Sequence, residues 1–166
     1  EEGIVKFPKY HELLFLKGVY QEKANLIVEC METMKEVIRK NPNHSSALNY
    51  LGYMWAERKM NLDIAEKLIR RALSLKPENA YYLDSLGWVF YQKGKYQDAL
   101  ELLSKAAKLD PNEGIILEHL GDVLKKLDRF DEVIKYYKEA LSKNNLEEKD
   151  KERIKRKLNE MGEKRT

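Results

Sequence analysis

The chain has 166 residues, 36% charged and 43% apolar, with a formal net charge of +3. It contains no run of 18 apolar residues, so nothing in the sequence reads as a membrane span. The charge is local: residues 143–166 carry nine Lys/Arg against six Asp/Glu, which leaves 22 of each sign in residues 1–142. There is therefore no basic arm of the kind a nucleic-acid footprint needs.

In chain order, residues 1–10 read as an N-terminal segment, the remnant of an upstream region, whose Ile4, Val5, Phe7 and Tyr10 can pack on the first helix pair. The opening Glu1-Glu2-Gly3 lacks an initiator methionine, and a fragment or processed form is expected. Apolar spacing then predicts helices at about 9–23 and 26–40, 44–59 and 62–75, 79–93 and 96–109, and 113–127 and 130–143. Turns of two to four residues force each pair to run antiparallel.

The pairs share one register. Gly18, Gly52, Gly87 and Gly121 are 34, 35 and 34 residues apart, and Pro42, Pro77 and Pro111 are 35 and 34 apart. A glycine inside a helix costs about 1 kcal/mol against alanine, so its use implies close approach of a second helix. The expected partners are Cys30, Ala65, Ala99 and Val133, followed by Val37, Ala72, Ala106 and Ala140. Each proline ends a second helix because it lacks the N–H and blocks continuation. Asn43, Asn79 and Asn112 stand where the next helix needs a cap. Cys30 is the only cysteine, so no intramolecular disulfide forms.

Leu83, Leu86-Gly87 and Phe90, followed by Ala99, Leu103, Ala106 and Pro111, give the clearest copy of this figure. It resembles the tetratricopeptide repeat (TPR) family. Four units are expected, at about 11–44, 45–79, 80–113 and 114–145. The second has one extra residue near Met60 to Leu62. The fourth has Val133 at a small position and Asn145 in place of proline. The first is the most degenerate, with Lys17 before its glycine. Residues 146–166 are expected to be a C-terminal capping helix and frayed tail. Leu146, Ile154, Leu158 and Met161 would face inward, with Glu147, Lys151, Arg153, Lys155 and Arg156 on a solvated face. The resemblance implies an all-α fold, a right-handed α-solenoid of helix-turn-helix units. Phrases such as Tyr82-Leu83-Asp84-Ser85-Leu86-Gly87-Trp88 are similar to those of bacterial multi-repeat members.

The function implied by the resemblance is a non-catalytic scaffold that binds a peptide segment or partner helix in a concave groove lined by the first helix of each unit. Carried over by position, the groove residues are Asn49, Tyr53, Tyr81, Asp84, Trp88, Tyr91, Glu118 and Asp122. Asp84, Trp88 and Tyr91 share one helix face, with Glu118 and Asp122 one unit on. The groove is thus expected to be aromatic and acidic, with Asp84 and Trp88 exposed, and to suit a basic and apolar segment. Members that clamp chaperone C-termini use lysine, asparagine and arginine. Here those positions hold Phe15, Val19, Tyr50, Ile115 and His119, so that activity is not expected. Self-association through the ends of the repeats is the alternative, with a homo-oligomer as its product. An RNA-binding repeat is disfavoured by the acidic face.

No catalytic group, cofactor or metal is expected. The three histidines, His11, His44 and His119, are 33 and 75 residues apart, which excludes a His-x-x-x-His pair. No glycine loop reads as a phosphate cradle. The compartment is left open.

Overall fold

A computed structural model describes residues 10–163, with side chains to Met161. The expectations for Ile4, Val5, Phe7 and Pro8, and for the tail beyond Met161, lie outside the described residues. The described residues form α-helices joined by short turns, without a strand. No helix among them is long and apolar enough to cross a membrane. The chain divides into two compact units, residues 1–77 and 78–166.

The first unit holds α1 (Tyr10–Lys23), α2 (Ile27–Lys40), α3 (Ser45–Glu57) and α4 (Leu62–Leu75). The stripe Cys30, Met34, Val37 on α2 and the stripe Ala65, Ile69, Ala72 on α4 are fully buried. Such one-sided burial at i, i+4, i+7 is what an amphipathic helix on a core requires. The α1–α2 turn passes through Asn25 at φ 60°, a left-handed position that asparagine tolerates. The extra residue of the second repeat does fall in the inter-helix turn. Residues 58–61 connect α3 to α4, and Lys59 and Asn61 both take positive φ to absorb the insertion.

The second unit holds α5 (Ala80–Gln92), α6 (Tyr96–Leu109), α7 (Gly114–Lys126), α8 (Phe130–Leu141) and α9 (Glu148–Glu163). Its core joins Phe90, Leu103, Leu117, Leu120, Leu124, Tyr137, Ile154 and Met161. Each fully buried Leu or Ile contributes about 2 kcal/mol. The α5–α6 turn closes on Gly94 at φ 75°. Phe90 and Tyr137 are buried, and Tyr96 and Tyr136 pack partly buried against the same core, as packing residues should.

Two local expectations are refined. The helical glycines do allow close approach, and the expected small partners Cys30, Ala65, Ala99 and Val133 are fully buried. The side chain filling the space over each glycine lies one turn further on: Met34 over Gly18, Ile69 over Gly52, Leu103 over Gly87 and Tyr137 over Gly121. The caps lie two residues past each proline, where Asn79 was expected but Asn43 and Asn112 were not. Asn79 accepts from the Tyr82 N–H at 3.0 Å, but the equivalent roles fall to His44 and Glu113. Asn43 and Asn112 instead donate their backbone N–H to Asn41 and Asp110 in the preceding turn.

Candidate functional site

In the second unit α5 and α7 lie side by side, and α9 follows α7 at a spacing of 35 residues. That spacing pairs Glu118 with Arg153, Asp122 with Lys157, and Lys125 with Glu160. By register, α9 stands to α7 as α7 stands to α5, where Asp84 meets His119 across the same 35 residues. Arg153 is thus not on the solvated face expected from the sequence. It turns inward because a buried carboxylate one repeat back needs a counter-charge.

Asp84, Glu118 and Asp122 are all buried, contrary to an exposed acidic groove. Asp84 Oδ1 lies 2.8 Å from His119 Nδ1. Glu118 accepts from Arg153 Nε and Nη2 at 2.7 and 2.6 Å and from Lys157 Nζ at 2.7 Å. Asp122 accepts from Lys157 Nζ and from the Tyr137 hydroxyl, each at 2.6 Å. The acidic charge that a basic partner was expected to meet is therefore balanced from within the unit.

The titrations follow from these contacts. Burial alone would raise the Glu118 carboxyl, but the hydrogen bonds and charges of Arg153 and Lys157 hold it below its usual range. Burial would lower the His119 imidazole, but Asp84, with Glu118 and Asp122 behind it, raises it instead. Burial and the Asp122 acceptor push the Tyr137 phenol up. Burial, then the Asp122 charge, push Tyr91 up to about 12.

Above the carboxylates is an aromatic stack. The Trp88 indole lies on His119 at 4.1 Å and 16°, and on Tyr91 at 4.6 Å and 5°. Tyr91 leans on Tyr96. Trp88 is half-buried, yet its Nε1 is buried without a hydrogen-bond partner. Tyr81 is exposed at the edge of this face and donates to Glu113 at 3.1 Å. In this unit Asp84, Trp88 and Tyr91 are linked through His119, and Glu118 and Asp122 through Lys157, whereas Tyr81 makes its contact with Glu113.

In the first unit Asn49 and Tyr53 share α3. Asn49 Oδ1 is buried without a partner, and the Tyr53 hydroxyl donates to Glu57 at 2.9 Å. Phe15 packs on His44 and edge-on to Tyr50. The fold also gathers a group that spacing did not reveal. His11 Nδ1, a Glu12 carboxylate oxygen and His44 Nε2 lie within 4.8 Å of one another. His44 Nδ1 accepts the Ala47 N–H as the cap of α3, so the neutral ring carries its proton on Nε2, where a metal would need a lone pair. The cluster therefore reads as packing at the start of α3.

Sequence reasoning missed His119, Arg153 and Lys157 as parts of the site. The signal was present: Arg153 and Lys157 repeat the interval of Glu118 and Asp122 with opposite charge.

Helix pairs in a repeating register, with polar groups on the shared face of the first helices, define an all-α helical-repeat scaffold. Residues 58–140 match the family described as "Anaphase-promoting complex, cyclosome, subunit 3". A TPR repeat-containing protein of Pseudomonas aeruginosa is 34% identical over 122 residues, covering 74% of this chain and 20% of its own. A TPR repeat-containing protein of Methanocaldococcus jannaschii is also 34% identical, over 132 residues, covering 77% and 22%. The solved structure of a thermophilic TPR protein from Thermus thermophilus superposes with TM-score 0.76 at 20% identity, over 97% of this chain and 86% of that one. The chain belongs to the tetratricopeptide repeat family. It spans about a fifth of the length of the curated relatives it matches.

Proposed function

We propose that the chain is a non-catalytic protein-interaction module that binds a peptide segment or partner helix on the first helices of its repeats. In the second unit the contact surface is Tyr81, Trp88 and Tyr91. Asp84, Glu118 and Asp122 lie beneath it and fix its geometry. Asn49 and Tyr53 play the corresponding part in the first unit. The observation that carries this reading is the buried, unpartnered Trp88 Nε1 inside an aromatic stack. A buried donor without an acceptor is costly, and because this atom has almost no accessible surface the stack must shift on binding to let a carbonyl oxygen reach it. Rigid aromatic surface of this kind suits an interaction hot spot. Because the carboxylates are already paired, the favoured partner is an apolar segment with a free carbonyl, and basic residues in it add little.

The test is a peptide-display selection on the intact chain, followed by titration of the selected peptides. Trp88→Phe keeps the stack and deletes the donor, and should weaken binding about tenfold. Trp88→Ala should abolish it while the circular dichroism stays helical. Selected peptides that bind both variants as tightly as the parent would remove the site from this face.

A further inference from the structure

Of the three histidines, only His119 lies in the second unit. Its buried ring carries two contacts to α5. Nδ1 lies 2.8 Å from Asp84 Oδ1, and the Trp88 indole covers the ring face at 4.1 Å and 16°. Asp84 and Trp88 are one turn apart on α5, so a single imidazole ties that helix to α7 by an edge and a face. The face contact depends on charge. A neutral imidazole stacks on the indole by dispersion, whereas an imidazolium is also drawn to the negative face of the indole ring.

We propose that His119 is a proton-operated latch on the peptide-binding face: its imidazolium holds Trp88 in the closed stack, and loss of the proton frees Trp88 to take a ligand. The latch rests on the reading that a ligand seats at Trp88. Because Trp88 Nε1 is buried and unpartnered in the stack, the indole must move before an acceptor reaches it. That movement gives up a cation–π contact when His119 is charged and only a dispersion contact when it is neutral. The closed stack therefore binds the proton more tightly than the open one. Ligand binding releases the proton, and affinity rises as pH rises through the His119 titration.

The groups around His119 leave the response to it. Burial would lower the imidazole, but Asp84 on α5, then Glu118 and Asp122 on α7, raise it. Glu118 and Asp122 are themselves bound by Arg153 and Lys157 of α9, and Asp122 also by the Tyr137 hydroxyl of α8. Burial alone would raise Glu118, but Arg153 and Lys157 hold it below its usual range, so it stays charged where a histidine titrates. Burial and then the Asp122 charge carry Tyr91 up to about 12, and Tyr137 is pushed up for the same reasons, so both phenols stay neutral there. From α6 only the Tyr96 ring reaches the stack, leaning on Tyr91.

The probe is a display-selected peptide without ionisable side chains and blocked at both ends, titrated from mildly acidic to mildly alkaline pH. Its affinity for the parent should rise about tenfold across the His119 titration. Saturation with the peptide should lower the His119 NMR midpoint by about one pH unit, the same coupling read from the other side. Asp84→Asn removes the charge beside the imidazole, so the affinity rise should move to lower pH together with the NMR midpoint. His119→Gln should bind without pH dependence. A His119 that only supports the fold would change affinity in these variants without moving the transition. Independently of any peptide, acrylamide quenching of Trp88 fluorescence in the Trp55→Phe chain should increase over the same pH interval. An affinity flat or falling with pH, for a peptide whose binding Trp88→Ala abolishes, would overturn the latch and leave the binding site standing. So would a quenching profile unchanged across the His119 titration. Peptides indifferent to Trp88→Ala would remove the binding face itself, and the latch with it.

Discussion

The first and fourth helix pairs, α1–α2 and α7–α8, follow one register but are finished differently. On α7 ten residues are buried, three of them ionisable, and each of those three meets a partner from α5, α8 or α9. On α1 only Leu14 and Gly18 are buried, and Tyr10, Leu13, Leu16 and Tyr20 are exposed. The inner seam between the two helices of each pair is nonetheless alike, with a glycine under a bulky side chain. A repeat's own sequence thus builds its seam. Its outer faces are completed by whatever helix lies against them.

The sharpest break of this comparison is a truncation in each region. Ile154 is fully buried in the core of the second unit, so Ile154→Ala should cost about 3 kcal/mol, while Leu13→Ala on the exposed face should stay within about 0.5 kcal/mol. Urea unfolding followed at several probes would measure both, and equal costs would mean that α1 is covered in the free chain.

The seam can be tested at the glycines. A Cβ on Gly121 runs into the Tyr137 ring, which is fully buried and held by its bond to Asp122. A Cβ on Gly18 would clash with the terminal methyl of Met34, at 2.5 Å, the end of a flexible side chain able to swing aside, and would make ordinary contact with Thr33. Gly121→Ala should cost about 2 kcal/mol and Gly18→Ala less than about 1 kcal/mol, since alanine's helix propensity offsets part of the clash. Thermal melts of the two variants decide it, and a reversed order would contradict the packing.

The smallest effects come from pH, because they concern single ionisations. The Glu118 pKa is lowered on folding, so its contribution is present above the ordinary carboxylate value and is lost as pH falls through the lowered one. Arg153→Met should cost about 1.5 kcal/mol at neutral pH, since Lys157 remains and Arg153 is partly exposed, with the difference from the parent shrinking in acid. The His119 pKa is raised, so its contribution with Asp84 is complete below the ordinary histidine value and lost as pH rises through the raised one. Asp84→Asn should therefore differ most from the parent in mild acid and least in alkali. An NMR titration of His119 should show its midpoint fall in that variant. A parent melting temperature flat across both ranges would sink both assignments.

Much of this molecule was legible before folding because helical geometry is local. The glycine and proline registers placed the helices to within a few residues. The stripes Ala99, Leu103, Ala106 and Val133, Tyr137, Ala140 named the buried faces of α6 and α8, and the surplus residue near Met60 went to a turn. The cap position was misjudged by one residue at Asn43 and Asn112 because a residue type that favours caps says less than its distance from the preceding proline. The aromatic members of the candidate site, Trp88 and Tyr91, were placed on one face by spacing alone, and they do stack.

The sequence by itself determined the repeat, its register and the family, since these depend on periodicity and on the steric demands of glycine and proline. Only the tertiary structure decided the fate of the charges. Asp84, Glu118 and Asp122 read as an exposed acidic surface until α7 and α9 brought His119, Arg153 and Lys157 against them. Residues 35 positions apart have no local geometry linking them. Whether two such charges meet is settled by how helices stack, and in a dry interior that meeting decides whether a carboxylate is a recognition group or part of the frame.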